Sequence, residues 1–144
     1  MYSTYSDTVL DPFWGTGTTS LAAMIAGRNS IGYELQEEFT DVFDAEVSEV
    51  KELAYKTVEK RIRRHEEFVE QRLEDGKGFK YDSENYEFPV TTKQEKQLQL
   101  YTIDSVRQTE NEYEVSHMPY NESESIDADT SDQQEQTTLG SQFN

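Results

Sequence analysis

The alternation of apolar and polar positions at the start of the chain predicts a strand, a helix and a second strand. Thr8–Asp11 is a short run of β-formers, and Pro12 removes a backbone donor that would extend its pairing. Residues Thr19–Ala26 are apolar at almost every position, which is typical of a helix buried on most of its faces. Ile31–Leu35 then predicts a second strand. The order predicts one βαβ unit over residues 1–36, with too few strands to cover its own apolar surface.

The next stretch, residues 37–76, is predicted to be one long amphipathic helix that ends where Asp75-Gly76-Lys77-Gly78 interrupts the pattern. Some 35 residues would span about 50 Å, so we expect the far half to project or to fold back after a break. The favoured role of the stripe is packing against the parent sheet, and the alternative is docking on another protein. Apolar residues recur at three- and four-residue steps: Phe39, Phe43, Val47, Val50, Ala54, Val58, Ile62, Val69 and Leu73.

Residues 77–118 alternate like short strands, and residues 119–144 do not. Leu98–Val106 and Tyr113–His117 could pair as a hairpin. The small β-rich segment could be an appended module or an unpaired arm. Ser, Glu, Asp, Gln and Thr dominate from residue 119, which predicts a disordered acidic tail.

Charge narrows the range of functions. The 144 residues include 30 acidic and 13 basic ones, for a net charge of −17, and only 33% are hydrophobic. This charge opposes binding to DNA, because non-specific affinity comes largely from Lys and Arg. Two explanations have equal weight: a halophile protein whose acidic surface keeps it soluble in a high-salt cytoplasm, or a disordered tail added to a solvated helix.

Several classes of site and location are excluded or disfavoured by composition. No cysteine is present, so disulfides, thiolate metal sites and cysteine nucleophiles are excluded. His65 and His117 have no set of metal ligands beside them, and no metal site is predicted. No apolar run approaches the roughly 20 residues that span a bilayer, and no secretion signal is recognisable. We therefore expect a soluble cytoplasmic protein that does not contact membranes.

The turn between the first strand and the first helix carries the candidate chemistry. Gly15 and Gly17 can adopt backbone angles closed to other residues and let a ligand approach the main chain. The helix that follows points unpaired N–H groups at such a ligand. Thr16 and Thr18 have hydroxyls suited to a ligand, although capping of the helix is the simpler role for each. Glu34 lies near the place, about 20 residues on, where such units put a carboxylate on ribose hydroxyls.

The segment DTVLDPFWGTGTTSLAAMIAGRNSIGYEL resembles the S-adenosylmethionine-binding part of DNA amino-methyltransferases, and in particular the permuted (β) group whose catalytic half comes first. The resemblance implies an incomplete α/β, Rossmann-like methyltransferase unit. It also implies that Asp11, Phe13, Gly15 and Gly17 form the first cofactor motif, with Phe13 and Gly15 at the methionine end. Glu34 corresponds to the acidic residue on the adenosine ribose.

The catalytic motif of that family is missing from this sequence. It is an Asn- or Asp-Pro-Pro-aromatic tetrapeptide, whereas the three prolines here, Pro12, Pro89 and Pro119, are all isolated. No catalytic residue is therefore assigned. In the permuted order the motif would lie upstream, so the resemblance implies a C-terminal part of an enzyme, whether truncated, split or started at an internal methionine.

Three functions follow with unequal support. The first is S-adenosylmethionine-dependent methylation of an exocyclic amino group of adenine or cytosine in DNA, by a chain that is inactive alone. It would reach DNA only through a catalytic half or partner chain, and we expect a second protein chain or self-association. The alternative is a non-catalytic remnant or split half that docks on another protein through residues 37–73. A nicotinamide-dinucleotide binder is disfavoured, because Ser20 replaces the third glycine of that fingerprint.

A basic cluster in the long helix has two interpretations. It could contact phosphates at the edge of a DNA groove. It could also be a solvated face whose charges meet neighbouring glutamates at helical spacing. The second is favoured because no aromatic residue interleaves with the basic ones: Lys56, Lys60, Arg61, Arg63 and Arg64.

Overall fold

A computed structural model describes residues 3–110 and 112–121. The chain is mixed α/β, as predicted. It begins with strand β1 (Thr8–Asp11), helix α1 (Thr18–Ile25) and strand β2 (Asn29–Gly32). The two strands pair in parallel, with Val9 opposite Ser30. The second strand ends at Gly32 rather than at the predicted Leu35, although the amide of Tyr33 still donates to the carbonyl of Asp11 at 3.1 Å.

The predicted long helix is two helices, α2 (Glu38–Ser48) and α3 (Val50–Glu74). The break is at Glu49, whose φ of −101° and ψ of 0° depart from helical values. Val47 and Val50, on either side of the break, are both buried in one core cluster. Residues three apart lie on one face of a helix, so both valines continue the same apolar stripe across the break, and no Gly or Pro marks it.

The 77–118 segment is integrated into the fold. It contains the two-residue strands β3 (Tyr81–Asp82) and β4 (Pro89–Val90), a 3₁₀ helix (Lys93–Gln97), and the strands β5 (Tyr101–Gln108) and β6 (Tyr113–Pro119). The predicted hairpin is present, because β5 and β6 pair antiparallel with an irregularity between Ile103 and Ser105. Strand β5 packs against α3, so the segment is neither a separate module nor an unpaired arm.

The hairpin also reaches past the predicted start of the acidic tail. Pro119 belongs to β6, and the Tyr120 side chain is only 6% exposed. The predicted boundary at residue 119 therefore falls inside packed structure. Residues 122–144, the rest of the predicted disordered tail, lie outside the described residues.

Two clusters of buried side chains lie along the helices. The first joins α1, α2, the start of α3 and β5, and the second joins the middle of α3 to the 86–120 region. Ile103 and Val50 are the largest fully buried side chains. The first cluster consists of Met24, Phe43, Val47, Val50, Ala54 and Ile103, and the second of Val58, Ile62, Tyr86, Leu100 and Tyr120.

One face of the β1–β2 sheet carries exposed apolar side chains. Side chains alternate between the faces of a strand, so Val9 is buried against α1 whereas Leu10 and its strand partner Ile31 are 60% and 51% exposed. Phe13, Tyr33 and Leu35, in the loops that follow the two strands, are also exposed. We call these five residues the bare sheet face. Parallel sheets are normally covered on both faces, and no described residue covers this one.

The described residues hold no helix long and apolar enough to cross a membrane. Nor do they bring together three or more metal-ligating side chains.

Candidate functional site in the loop after the first strand

The loop from Asp11 to Gly17 is a tight bend held by its own backbone. The Asp11 carboxylate accepts a hydrogen bond from the amide of Phe13 at 3.1 Å. The amide of Gly17 donates to the carbonyl of Trp14 at 2.9 Å, and the amide of Trp14 donates to the carbonyl of Tyr33 at 3.0 Å. The bend is therefore fixed to the end of β2 by backbone hydrogen bonds.

Gly15 and Gly17 both have positive φ, of 55° and 77°, but for different reasons. A Cβ atom added to Gly17 would lie 2.3 Å from the Phe43 ring and 2.7 Å from that of Trp14. A Cβ atom added to Gly15 would meet nothing within 4 Å. Gly17 is thus required by packing inside the chain, whereas the space beside Gly15 is open to a ligand.

Trp14 anchors the loop, a role that the sequence motif did not reveal. Its indole N–H donates to the hydroxyl of Ser20 at 2.8 Å, and its ring centroid lies 4.6 Å from that of Phe43. The Ser20 hydroxyl is also 2.9 Å from that of Ser30, which joins α1 to β2. A Cβ atom on Gly32 would lie 2.0 Å from the Trp14 ring, so this glycine too is required by the indole.

Glu34 connects the end of β2 to the glycine bend. One carboxylate oxygen accepts a hydrogen bond from the amide of Gly15 at 2.9 Å. The other accepts from the amides of Leu35 at 2.8 Å and Gln36 at 3.0 Å. The hydrogen bond from Gln36 contributes most to holding the pKa of this carboxyl below its ordinary value, with those from Gly15 and Leu35 adding to it. Glu34 therefore carries its negative charge beside the loop.

The start of α1 is not capped by a side chain. Gly17 occupies the capping position, and no side-chain hydrogen bond satisfies the first turn. The first turn also contains no acidic residue. Thr16 and Thr18 are exposed, so neither performs the capping that was favoured from sequence, and their hydroxyls face solvent at the positive end of the helix dipole.

The seven predicted site residues are Asp11, Phe13, Gly15, Thr16, Gly17, Thr18 and Glu34, and all belong to this loop or to the end of β2. A cavity of about 850 Å³ lies between the βαβ unit and the β5–β6 hairpin, and Glu34 is the one predicted residue that lines it. Trp14 and Ser20 line it as well. The other six do not line it, and Phe13 among them is 89% exposed.

Comparison with known proteins matches the N-terminal part of the chain to DNA methylases. Residues 1–46 match the model of a DNA methylase family. The chain is similar to the type II methyltransferase M.MthZI of Methanothermobacter thermautotrophicus, with 45% identity over 122 residues, which cover 84% of this chain and 33% of that protein.

Two other type II methyltransferases match shorter stretches. M.MjaI of Methanocaldococcus jannaschii is 49% identical over 47 residues, which cover 33% of this chain and 16% of that protein. M.HinfI of Haemophilus influenzae is 48% identical over 46 residues, which cover 32% and 13%. No solved structure matches the chain significantly.

The chain spans about a third of the length of M.MthZI and smaller shares of the other two. Residues 1–46 therefore match a DNA methylase family, and the chain is similar to part of the type II methyltransferases.

Proposed function

We propose that this chain supplies the S-adenosylmethionine-binding part of a DNA methyltransferase that acts on an exocyclic amino group of adenine or cytosine. The observation that carries the proposal is the hydrogen bond between Gly15 and Glu34, which brings the glycine bend and the end of β2 within 2.9 Å of each other. The family match over residues 1–46 includes both Gly15 and Glu34.

The residues present fit such a cofactor. A carboxylate has about four sites that accept hydrogen bonds, and three backbone amides use Glu34, which leaves room for a ribose hydroxyl. The open space at Gly15 and the exposed ring of Phe13 suit the methionine end. The Asp11 carboxylate stabilises the bend by accepting a hydrogen bond from the amide of Phe13. The hydroxyls of Thr16 and Thr18 do not cap α1.

When bound, S-adenosylmethionine supplies a methyl group on a positively charged sulfur. What this chain adds is binding and orientation: the glycine bend holds the donor close to the main chain, and the Glu34 carboxylate places a fixed negative charge near it. Orientation of a donor is a large part of catalysis of group transfer. This sequence holds no Pro-Pro-aromatic motif, with which the family is expected to hold its target base.

The catalytic groups and the cover for the bare sheet face are proposed to come from elsewhere. None of the three prolines forms a Pro-Pro pair. Leu10 and Ile31 present an apolar surface next to the proposed donor site. We propose that a catalytic half, in the same polypeptide or in a partner chain, packs on this face and brings DNA to the donor.

The alternative of an interaction protein that docks through residues 37–73 has weaker support. Most apolar side chains of the stripe on α2 and α3 are already buried within the chain. They are Phe43, Val47, Val50, Ala54, Val58 and Ile62. A docking role would fall on the bare sheet face instead.

Isothermal titration calorimetry tests the proposal directly. S-adenosylmethionine and its demethylated product are expected to bind the chain, and a nicotinamide dinucleotide is not. A second assay uses labelled donor with mixed-sequence DNA: the chain alone is expected to transfer no methyl group, and addition of the catalytic half is expected to restore transfer. Absence of donor binding even with that half present would overturn the proposal.

A further inference from the structure

A second cleft, distinct from the glycine bend, lies between the middle of α3 and the residues that follow it. Its volume is about 300 Å³. Arg61, Arg64, His65 and Phe68 of α3 line one side, and residues 83–100 line the other. A cleft of this size is large enough for one nucleobase with part of its backbone, and small compared with the groove a helix would need.

The cations in this cleft are not neutralised inside the chain. Within residues 3–110 and 112–121, Arg61 and Arg64 make no ion pair and no side-chain hydrogen bond. At about 100° per residue, these two arginines fall on one side of α3, and the glutamates at positions 59, 66 and 70 fall on another. Glu67 lies about 60° from Arg64, but among the described residues it makes no ion pair, and it does not line the cleft. The acidic excess of the helix therefore does not cancel the charge that faces the cleft.

The one acidic residue that lines the cleft is occupied by other donors. The Glu95 carboxylate accepts hydrogen bonds from the amides of Thr91 at 3.1 Å and Thr92 at 2.9 Å, and from the hydroxyl of Thr91 at 2.8 Å. These bonds cap the 3₁₀ helix. Glu95 is therefore held by its own turn and does not pair with either arginine.

Aromatic rings stand beside the arginines. The rings of Tyr86 and Phe88 stack with centroids 5.3 Å apart and planes 9° apart, and the His65 ring lies 4.5 Å from that of Phe88. His65 Nε2 is 2.9 Å from the carbonyl of Pro89, which fixes the imidazole. Phe68, at the mouth, remains 45% exposed. The basic cluster thus has aromatic neighbours from a different segment, which the linear sequence could not reveal.

We propose that this cleft binds a nucleotide of a nucleic-acid strand, with Arg61 and Arg64 on the phosphate and the base against the exposed ring of Phe68. Guanidinium groups bind phosphate through two parallel hydrogen bonds, and unpaired bases stack on aromatic side chains. The proposal rests on the proposed function insofar as DNA is the substrate of the enzyme. An acidic peptide would satisfy the arginines but would leave the exposed ring of Phe68 without a matching surface.

Fluorescence anisotropy of a labelled single-stranded oligonucleotide with the full chain at low salt tests the proposal. Arg61→Gln and Arg64→Gln should each weaken binding and lower the slope of log affinity against log salt by about 0.7. Arg63→Gln is the matched control, because Arg63 is exposed on the same helix and does not line the cleft. Phe68→Ala should weaken binding with little change in the salt slope, whereas Leu73→Ala, which alters another exposed apolar residue of α3, should not.

Three outcomes would overturn the proposal. The first is that Arg63→Gln weakens oligonucleotide binding as much as Arg61→Gln and Arg64→Gln do. The second is that the oligonucleotide does not bind at low salt. The third is that a poly-glutamate peptide binds more tightly than the oligonucleotide. The peptide result would assign the cleft to an acidic protein segment. Calorimetry with S-adenosylmethionine on the same variants separates this site from the glycine bend: donor binding should be unchanged, so failure of one proposal leaves the other standing.

Discussion

Gly17 lies against Phe43 so closely that a Cβ atom at position 17 would be 2.3 Å from Cδ2 of the ring. Gly15, two residues earlier, has open space where its Cβ atom would be. The two glycines of one motif therefore have different roles. Gly17 is required for packing of the core, and Gly15 leaves space for a ligand.

The first prediction separates these roles. Gly17→Ala should lower the free energy of unfolding by about 2–4 kcal/mol, because strain at positive φ adds to overpacking. Gly15→Ala should lower it by only about 1–2 kcal/mol, from backbone strain alone. Urea denaturation of both variants measures the difference.

Gly76→Ala is the matched control for Gly15→Ala. Gly76 also has positive φ, of 73°, and open space around it, but it lies at the end of α3. The two variants should lose similar stability, and only Gly15→Ala should weaken binding of S-adenosylmethionine. Equal donor affinities in the two variants would contradict a ligand role for Gly15.

The second prediction concerns Glu34→Gln. The neutral amide loses the charge-assisted hydrogen bonds from Gly15 and Gln36, and affinity for S-adenosylmethionine should fall about tenfold or more. Glu37→Gln makes the same chemical change at an exposed position and should leave the affinity unchanged.

The third prediction follows from the same carboxyl and concerns pH. Because backbone hydrogen bonds, first that from Gln36, lower the pKa of Glu34 from 4.5, its contribution to stability is present above that pH and is lost as the pH falls through the lowered value. Wild-type stability should therefore drop more steeply below pH 4.5 than that of Glu34→Gln. Parallel acid-denaturation curves would count against the role of these hydrogen bonds.

The fourth prediction concerns Tyr113, which ties the hairpin to α2. Burial, together with the hydrogen bond its hydroxyl donates to Asp44, raises the pKa of Tyr113 from 10.0 to about 12. The stabilisation is present below pH 10 and is lost as the pH rises towards 12. Ultraviolet titration should show a tyrosine step near pH 12 that disappears in Tyr113→Phe.

Tyr113→Phe should also lower the free energy of unfolding at neutral pH by about 1 kcal/mol, the usual contribution of one hydrogen bond. Tyr33→Phe removes a hydroxyl from a side chain that is 64% exposed and serves as the control. A tyrosine step near pH 12 that persists in Tyr113→Phe would disprove the assignment.

The fifth prediction tests whether the hairpin belongs to the core. Ile103 is 2% exposed and joins the first cluster, so Ile103→Ala should cost about 2–5 kcal/mol and shift a single unfolding transition. Arg107→Ala, in the same strand, removes an exposed ion pair with Glu114 and should cost less than about 1 kcal/mol. A separate transition for the hairpin would mean that it folds independently.

Local patterns predicted the local structure of this chain well. The bounds of β1, Thr8–Asp11, were predicted correctly because the β-formers and Pro12 act on their own neighbours. The hairpin of β5 and β6 followed from alternation on either side of a polar stretch. The carboxylate of Glu34 accepts a hydrogen bond from the amide of Gly15, and its role on a ribose stays a prediction.

Features that depend on distant residues could not be predicted in this way. The helix break at Glu49 has no Gly or Pro to mark it, and the apolar stripe continues across it from Val47 to Val50, so periodicity did not indicate it. Trp14 anchors the loop through Ser20 and Phe43, which no periodicity indicates. The aromatic rings beside Arg61 and Arg64 come from a segment some 25 residues further along the chain, so sequence spacing alone favoured a solvated face.

The bare sheet face has a consequence for how this chain behaves at different ionic strengths. Two copies of the chain could form an apolar contact through Leu10, Ile31 and Tyr33. Electrostatic repulsion opposes this contact, because each molecule carries a net charge of −17. At about 1 M salt the range of that repulsion shrinks to roughly 3 Å, while attraction between the apolar surfaces persists. Colloidal stability of the chain on its own should thus decline as salt is added, until a covering domain takes the place of the second copy.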